Sequence, residues 1–155
     1  MAMRGSFWLK MGHGAAIALL GMMLLAGCGV KGPPVPPERI PPPAVKDLRA
    51  VVDGNEIRFS WSVPRAAVGG PSGLEGFHLF RWRSSLEAAD CPNCPRVFER
   101  LADIDVQSGR PEGDERLRFE RAEALQAGFR YAFKLVGYAA GGVKSADSNV
   151  LNFDY

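Results

Sequence analysis

Histidine and cysteine are scarce in this chain, with two of the first and three of the second among 155 residues. Proton-transfer catalysis needs a positioned set of acid and base partners. His13 falls in a segment read below as a removable signal, which leaves His78 alone. No Gly-x-Ser-x-Gly occurs to present an activated serine, so the residues support no enzymatic reading. Asp103, Asp105 and Asp114 read as solvated loop carboxylates rather than a catalytic or calcium-binding set. A surplus of one charge is missing as well. The 19 Lys and Arg face 17 Asp and Glu, and removal of Arg4 and Lys10 with the signal leaves 17 of each. A neutral domain gives no electrostatic reason to expect nucleic acid or a strongly acidic partner. Also absent is the run of roughly 20 apolar residues needed to cross the hydrocarbon layer of a membrane. The uncharged stretch from Ala15 to Ala26 is shorter, and its length matches the apolar region of an export signal.

That stretch ends in Leu25-Ala26-Gly27-Cys28, which resembles the lipobox of bacterial lipoproteins at every position. The resemblance implies cleavage before Cys28 and lipid attachment to it, making residues 1–27 a signal peptide. It also implies an outer-membrane address facing the periplasm, because Gly29 stands where an Asp would retain such a protein in the inner membrane. A single acyl chain binds a membrane marginally, whereas two or more anchor it stably. The covalent lipid is then the membrane partner, and no other cofactor is expected.

From Gly29 to Pro43 seven of fifteen residues are proline. Proline fixes φ and removes backbone donors, so residues 28–43 read as an extended spacer that rises about 3.1 Å per residue. Proline-rich segments also serve as docking ligands. The start, Cys28-Gly29-Val30-Lys31-Gly32-Pro33, is similar to that of small lipoproteins that assist maturation of the outer-membrane lipopolysaccharide translocon. Those carry Gly-Leu-Lys-Gly-Pro after the lipidated cysteine. This resemblance implies an envelope or outer-membrane protein as partner and makes Val30 and Lys31 candidate contacts.

Residues 44–155 carry the fold. Ile57, Phe59, Trp61 and Val63 alternate with polar neighbours, the pattern of a half-buried strand. Comparable runs at Val45–Val52, Gly76–Arg83, Val97–Ile104, Arg116–Phe119, Gly128–Tyr138 and Asn149–Phe153 bring the number to seven. Seven short strands separated by turn residues predict an all-β, antiparallel β-sandwich. Glu120–Gln126 allows one helical turn before the sixth strand.

Trp61 followed by Pro64, together with Leu125-Gln126-Ala127-Gly128-Phe129-Arg130-Tyr131, resembles the fibronectin type III family, whose sixth strand opens on Leu-x-Pro-Gly-x-x-Tyr. Ala127 replaces the proline. Ser148-Asn149-Val150 and Pro43 to Leu48 resemble the entries to its last and first strands. The resemblance implies an immunoglobulin-like sandwich and a Tyr131 that bonds back to the turn before it. The adhesion tripeptide Arg-Gly-Asp is absent.

Two features remain as candidate sites. Cys91-Pro92-Asn93-Cys94 could be a local disulfide, a redox centre or part of a metal site. A c-type haem would need His where Pro95 stands, zinc would need about four ligands, and a thioredoxin-like centre needs a helix in a βαβ setting. An oxidising compartment favours the disulfide. On the third strand Phe77 and Leu79 point to the core, which places His78, Phe80 and Trp82 on the opposite face. These three are candidate partner-binding residues, as an exposed aromatic row for protein or carbohydrate or as a row covered by the cysteine-bearing loop.

Overall fold

The computed structural model describes residues 40–70, 73–89 and 94–155. Its organising strand is the alternating run, now β2 (Glu56–Pro64), in which Ile57, Phe59, Trp61 and Val63 are buried while their neighbours face outward. β1 (Arg49–Asp53) joins β2 through Gly54-Asn55, and Gly54 takes the left-handed φ of 57° that the tight turn requires. On its other side β2 pairs with β6 (Arg116–Ala124), which pairs in turn with β5 (Arg110–Glu112). The first sheet is therefore ordered β1-β2-β6-β5.

The second sheet is built on β3 (Leu74–Ser85) and β7 (Phe129–Ala139), with β4 (Glu99–Asp105) outside β3. β8 (Lys144–Asp147) and β9 (Leu151–Asp154) follow one another along the far side of β7. Every pairing is antiparallel. Strand order, two facing sheets and a tyrosine at the start of β7 together make a fibronectin type III-like β-sandwich.

Aromatic rings lock the sheets together. Phe59 meets Phe133 across the interior with centroids 4.9 Å apart. Trp61 stacks on Phe119 at 5.6 Å and meets Phe77 edge-on at 5.4 Å. Each of these five side chains is at most 2% exposed, and such pairs contribute beyond the area they bury. The Tyr131 hydroxyl donates to Gln126 O and accepts from Gln126 N, both at 3.0 Å. The expected corner thus forms with Ala127 in place of proline, because Gly128 at φ 86° supplies the turn.

Where β8 slips its register against β7 between Val136 and Tyr138, two buried serines replace the missing strand. Leu135 N donates to Ser148 Oγ at 2.9 Å and Gly137 N to Ser145 Oγ at 2.8 Å. Asn149 reaches back to the first segment. Its Oδ1 accepts from Leu48 N at 3.0 Å and its Nδ2 donates to Leu48 O at 2.8 Å.

The seven expected strands are present, and three expectations need correction. Among the described residues the strands number nine, because β5 and β8 are three and four residues long, too short to show alternation. Glu120–Ala124 is not a helical turn but the continuation of β6, held by pairing with Ser60 through Glu56. A single helical turn lies instead at Ala66–Gly69, where no helix was expected. The first strand starts at Arg49 rather than Val45, since Val45 and Leu48 are buried in irregular chain ahead of it.

Trp61→Ala is expected to lower unfolding stability by roughly 3 to 5 kcal/mol, and Tyr131→Phe by roughly 1 to 3 kcal/mol, because Gln126 then loses a buried partner. Trp61→Phe should cost less than Trp61→Ala, since it keeps ring packing and removes an indole N–H that has no partner among the described residues. Denaturant midpoints of the three variants test the order.

Candidate interaction face

The outer face of the second sheet receives the side chains that β3 turns away from the core. Antiparallel register sets His78 beside Val136 and Asp103, Phe80 beside Lys134 and Arg100, and Trp82 beside Ala132. The predicted row exists, but it is not an open aromatic stripe. His78 is 8% exposed, because the Tyr138 ring lies parallel to it at 4.3 Å and Phe80 stands edge-on at 6.2 Å. Tyr138 can lie there because Gly76 has no side chain: a Cβ at Gly76 would meet its hydroxyl oxygen at 2.5 Å.

The cover over Phe80 and Trp82 is cationic. The Arg96 guanidinium sits 4.7 Å over the Trp82 ring and donates to Asn152 Oδ1 on β9. Lys134 Nζ lies 4.5 Å from the Phe98 centroid and 5.8 Å from that of Phe80, while holding Asp147 at 2.7 Å. Cation–π contacts at partly exposed sites contribute about 0.5 to 1 kcal/mol each. The segment following the cysteines therefore covers part of the face, with one face of the Trp82 ring already occupied. The rings are held in place, and Phe80 and Trp82 stay half-buried.

At the other end of the row a charged cluster fixes the edge strand. His78 Nδ1 and Asp103 Oδ1 are 2.7 Å apart, Arg100 Nε donates to the same oxygen at 2.6 Å, and a second Arg100 nitrogen donates to Asp103 Oδ2. Partial desolvation pushes the Asp103 carboxyl up, but bonds from Arg100 and His78 outweigh it and hold the group below the ordinary carboxylate range. Burial, followed by the nearby carboxylates of Asp103, Asp105 and Glu75, raises the Tyr138 phenol.

The other large face, outside the first sheet, is a solvated ion-pair lattice. Arg116 bonds Ser62 and approaches Asp47 at 3.5 Å, and Arg118 lies between Glu112 and Glu120. Arg58 and Arg121 are likewise answered by carboxylates, those of Glu56 and Glu123.

Cys28, Val30, Lys31 and Cys91 lie outside the described residues. Cys94 is exposed ahead of β4 and is disulfide-bonded. Arg96, Phe98, Lys134 and Tyr138 escaped the sequence reading, and Asp103, read there as a solvated loop carboxylate, lies instead in β4 and is bonded by His78 and Arg100. Alternation along β7 signals that Lys134 and Tyr138 face outward, but their neighbours follow only from the register across strands.

No family model matches the chain, and no curated protein matches it. Among solved structures, the third fibronectin III domain of the human KIAA0343 protein is 16% identical with a TM-score of 0.48, over 81% of this chain and 92% of that one. The fold assignment rests on the strand order and register given above.

A carboxyl held low in the folded state contributes stability that is present above the ordinary carboxylate pKa and is lost as pH falls through the folded value. Asp103→Asn should therefore be clearly less stable than the wild type near neutrality, and the gap should shrink below about pH 4. Denaturant midpoints of both proteins across that range check the sign. A gap that widens with acidity would contradict the assigned bonds.

Proposed function

We propose that the chain is a lipid-anchored, non-enzymatic envelope lipoprotein, held through Cys28 on the periplasmic side of a bacterial outer membrane. Its sandwich serves there as an interaction or assembly module. The observation that carries the reading is the order of parts in one chain: Leu25-Ala26-Gly27-Cys28, then a proline-rich spacer, then a β-sandwich. The lipid supplies location, the spacer supplies reach, and the sandwich supplies a rigid surface.

Within that surface the face bearing His78, Phe80 and Trp82 is the site for an envelope or outer-membrane protein. Its rings are held by cations from the same chain, so binding requires little ordering of side chains. A sugar would need the open ring of Trp82, and Arg96 already covers one side of it. Val30 and Lys31 form a second contact next to the lipid, where an apolar group and a cation meet a membrane-embedded partner.

Cys91 and Cys94 are proposed to pair with each other. The bonded state of Cys94 and the oxidising compartment support this. A loop this short contributes only about 2 kcal/mol in the chain-entropy model. Its role is to order the chain leading to Arg96.

Cys28→Ser is expected to abolish incorporation of labelled palmitate and to leave a precursor with its signal intact. A photocrosslinker at Val30 should give a discrete outer-membrane protein adduct in living cells, while one at exposed Lys144 should not. Diffuse or lipid-only adducts at Val30 would reduce the segment to a spacer. In purified envelope protein, Cys91 and Cys94 should resist alkylation until a reductant is added; free thiols or one equivalent of zinc would sink the pairing.

A further inference from the structure

β1 is an outer strand of the first sheet, and among the described residues it pairs with β2 alone. The two-residue turn makes Asp53 and Glu56 a hydrogen-bonded pair. By the alternation of an antiparallel ladder, the backbone groups of Val51 and Arg49 then also point to β2. Those of Leu48, Ala50, Val52 and Gly54 point to the open edge.

Two of these four are occupied. Leu48 has both its N–H and its carbonyl bonded by the Asn149 side chain, and the carbonyl of Gly54 accepts from the Tyr155 hydroxyl at 2.7 Å. Between these caps, no backbone partner of Ala50 or Val52 on this side is found among the described residues. The open stretch is flanked by Val51 and Val52, 69% and 43% exposed.

The sequence of this edge, Arg49-Ala50-Val51-Val52-Asp53, is complementary to itself when reversed. We propose that it pairs with the same edge of a second copy of the chain, antiparallel about a two-fold axis at Val51. In that register Ala50 of each copy exchanges two backbone hydrogen bonds with Val52 of the other. Val51 meets Val51, and Arg49 of each copy lies opposite Asp53 of the other. Pairing extends no further, because the next positions, Leu48 and Gly54, are the ones already capped.

Charge complementarity selects a second copy as the occupant. Charges on an edge strand ordinarily oppose pairing, but a cation and an acid placed symmetrically about the centre favour an inverted copy and disfavour most other strands. Asp53 is available for this role. Arg58 approaches it only at 4.0 Å and holds Glu56 at 2.8 Å.

The test uses the full-length chain in detergent, with the dimer dissociation constant measured by sedimentation. Arg49→Asp and Asp53→Arg alone should each weaken the dimer by about tenfold or more, since every opposed pair becomes a like-charge pair. The double variant Arg49→Asp/Asp53→Arg restores both pairs and should return within about threefold of wild type. Val51→Cys should form a reducible dimer across the axis, whereas Lys144→Cys should not.

A chain that stays monomeric at its highest soluble concentration overturns the proposal, as do single reversals without effect or a double variant that remains weak. A monomer whose Ala50 and Val52 amides are nonetheless protected from hydrogen exchange would show residues before Ile40 lying on the edge. That result overturns it equally.

Discussion

The ring contacts between the sheets, Phe59 on Phe133 and Trp61 against Phe77 and Phe119, set the terms for everything else in this molecule. They fix which side of each central strand faces inward, and in a strand that choice also fixes what faces out. Phe77 and Leu79 are each about 0% exposed in the core, so His78, Phe80 and Trp82 have no other place than the outer face of the second sheet. The candidate face is the obligatory reverse of the core. Once there, rings cannot stay bare at little cost, and the chain supplies Tyr138, Lys134 and Arg96 to cover them.

The sequence showed those parts whose signal is local. Alternation marked β2, and the spacing from Leu125 to Tyr131 marked the corner, because both are written in consecutive residues. β5 and β8 were illegible for the opposite reason: three or four residues beside a longer partner are strands only by virtue of that partner. Glu120–Ala124 misled because Glu, Arg and Ala are good helix formers, while pairing with β2 overrides that preference. The ion pair between Arg121 and Glu123 at 2.7 Å fits the strand, where residues two apart share a face. On the candidate face His78, Phe80 and Trp82 were legible by parity. Arg96 over Trp82 was not, since no rule of spacing relates positions 96 and 82.

Sheet edges show how side chains stand in for strands. Ser145 and Ser148 accept from β7 where β8 departs from register, and Asn149 offers its amide to Leu48 as a neighbouring strand would offer a peptide group. Backbone groups close to the core need such partners, because an unpaired buried amide is expensive. An edge that is capped at both ends and left open between them is a bounded surface of defined length, whereas an uncapped strand would invite pairing in any register.

Asn149 also has a mechanical meaning. Tension applied to the chain ahead of Ile40 would reach Leu48 before it reaches β1. It would be met there by the Asn149 amide on one side and, one residue earlier, by Asp47 holding Ser62 Oγ at 2.6 Å and Ser62 N at 3.2 Å on the other. The load divides between β2 and the link from β8 to β9, which Ser148 ties to Leu135 of β7, so it reaches a central strand of each sheet instead of peeling β1 from its edge bond by bond. Residues Val45 to Leu48 thus act as a strain relief, the clamp that keeps a pull on the cord from reaching the connection behind it.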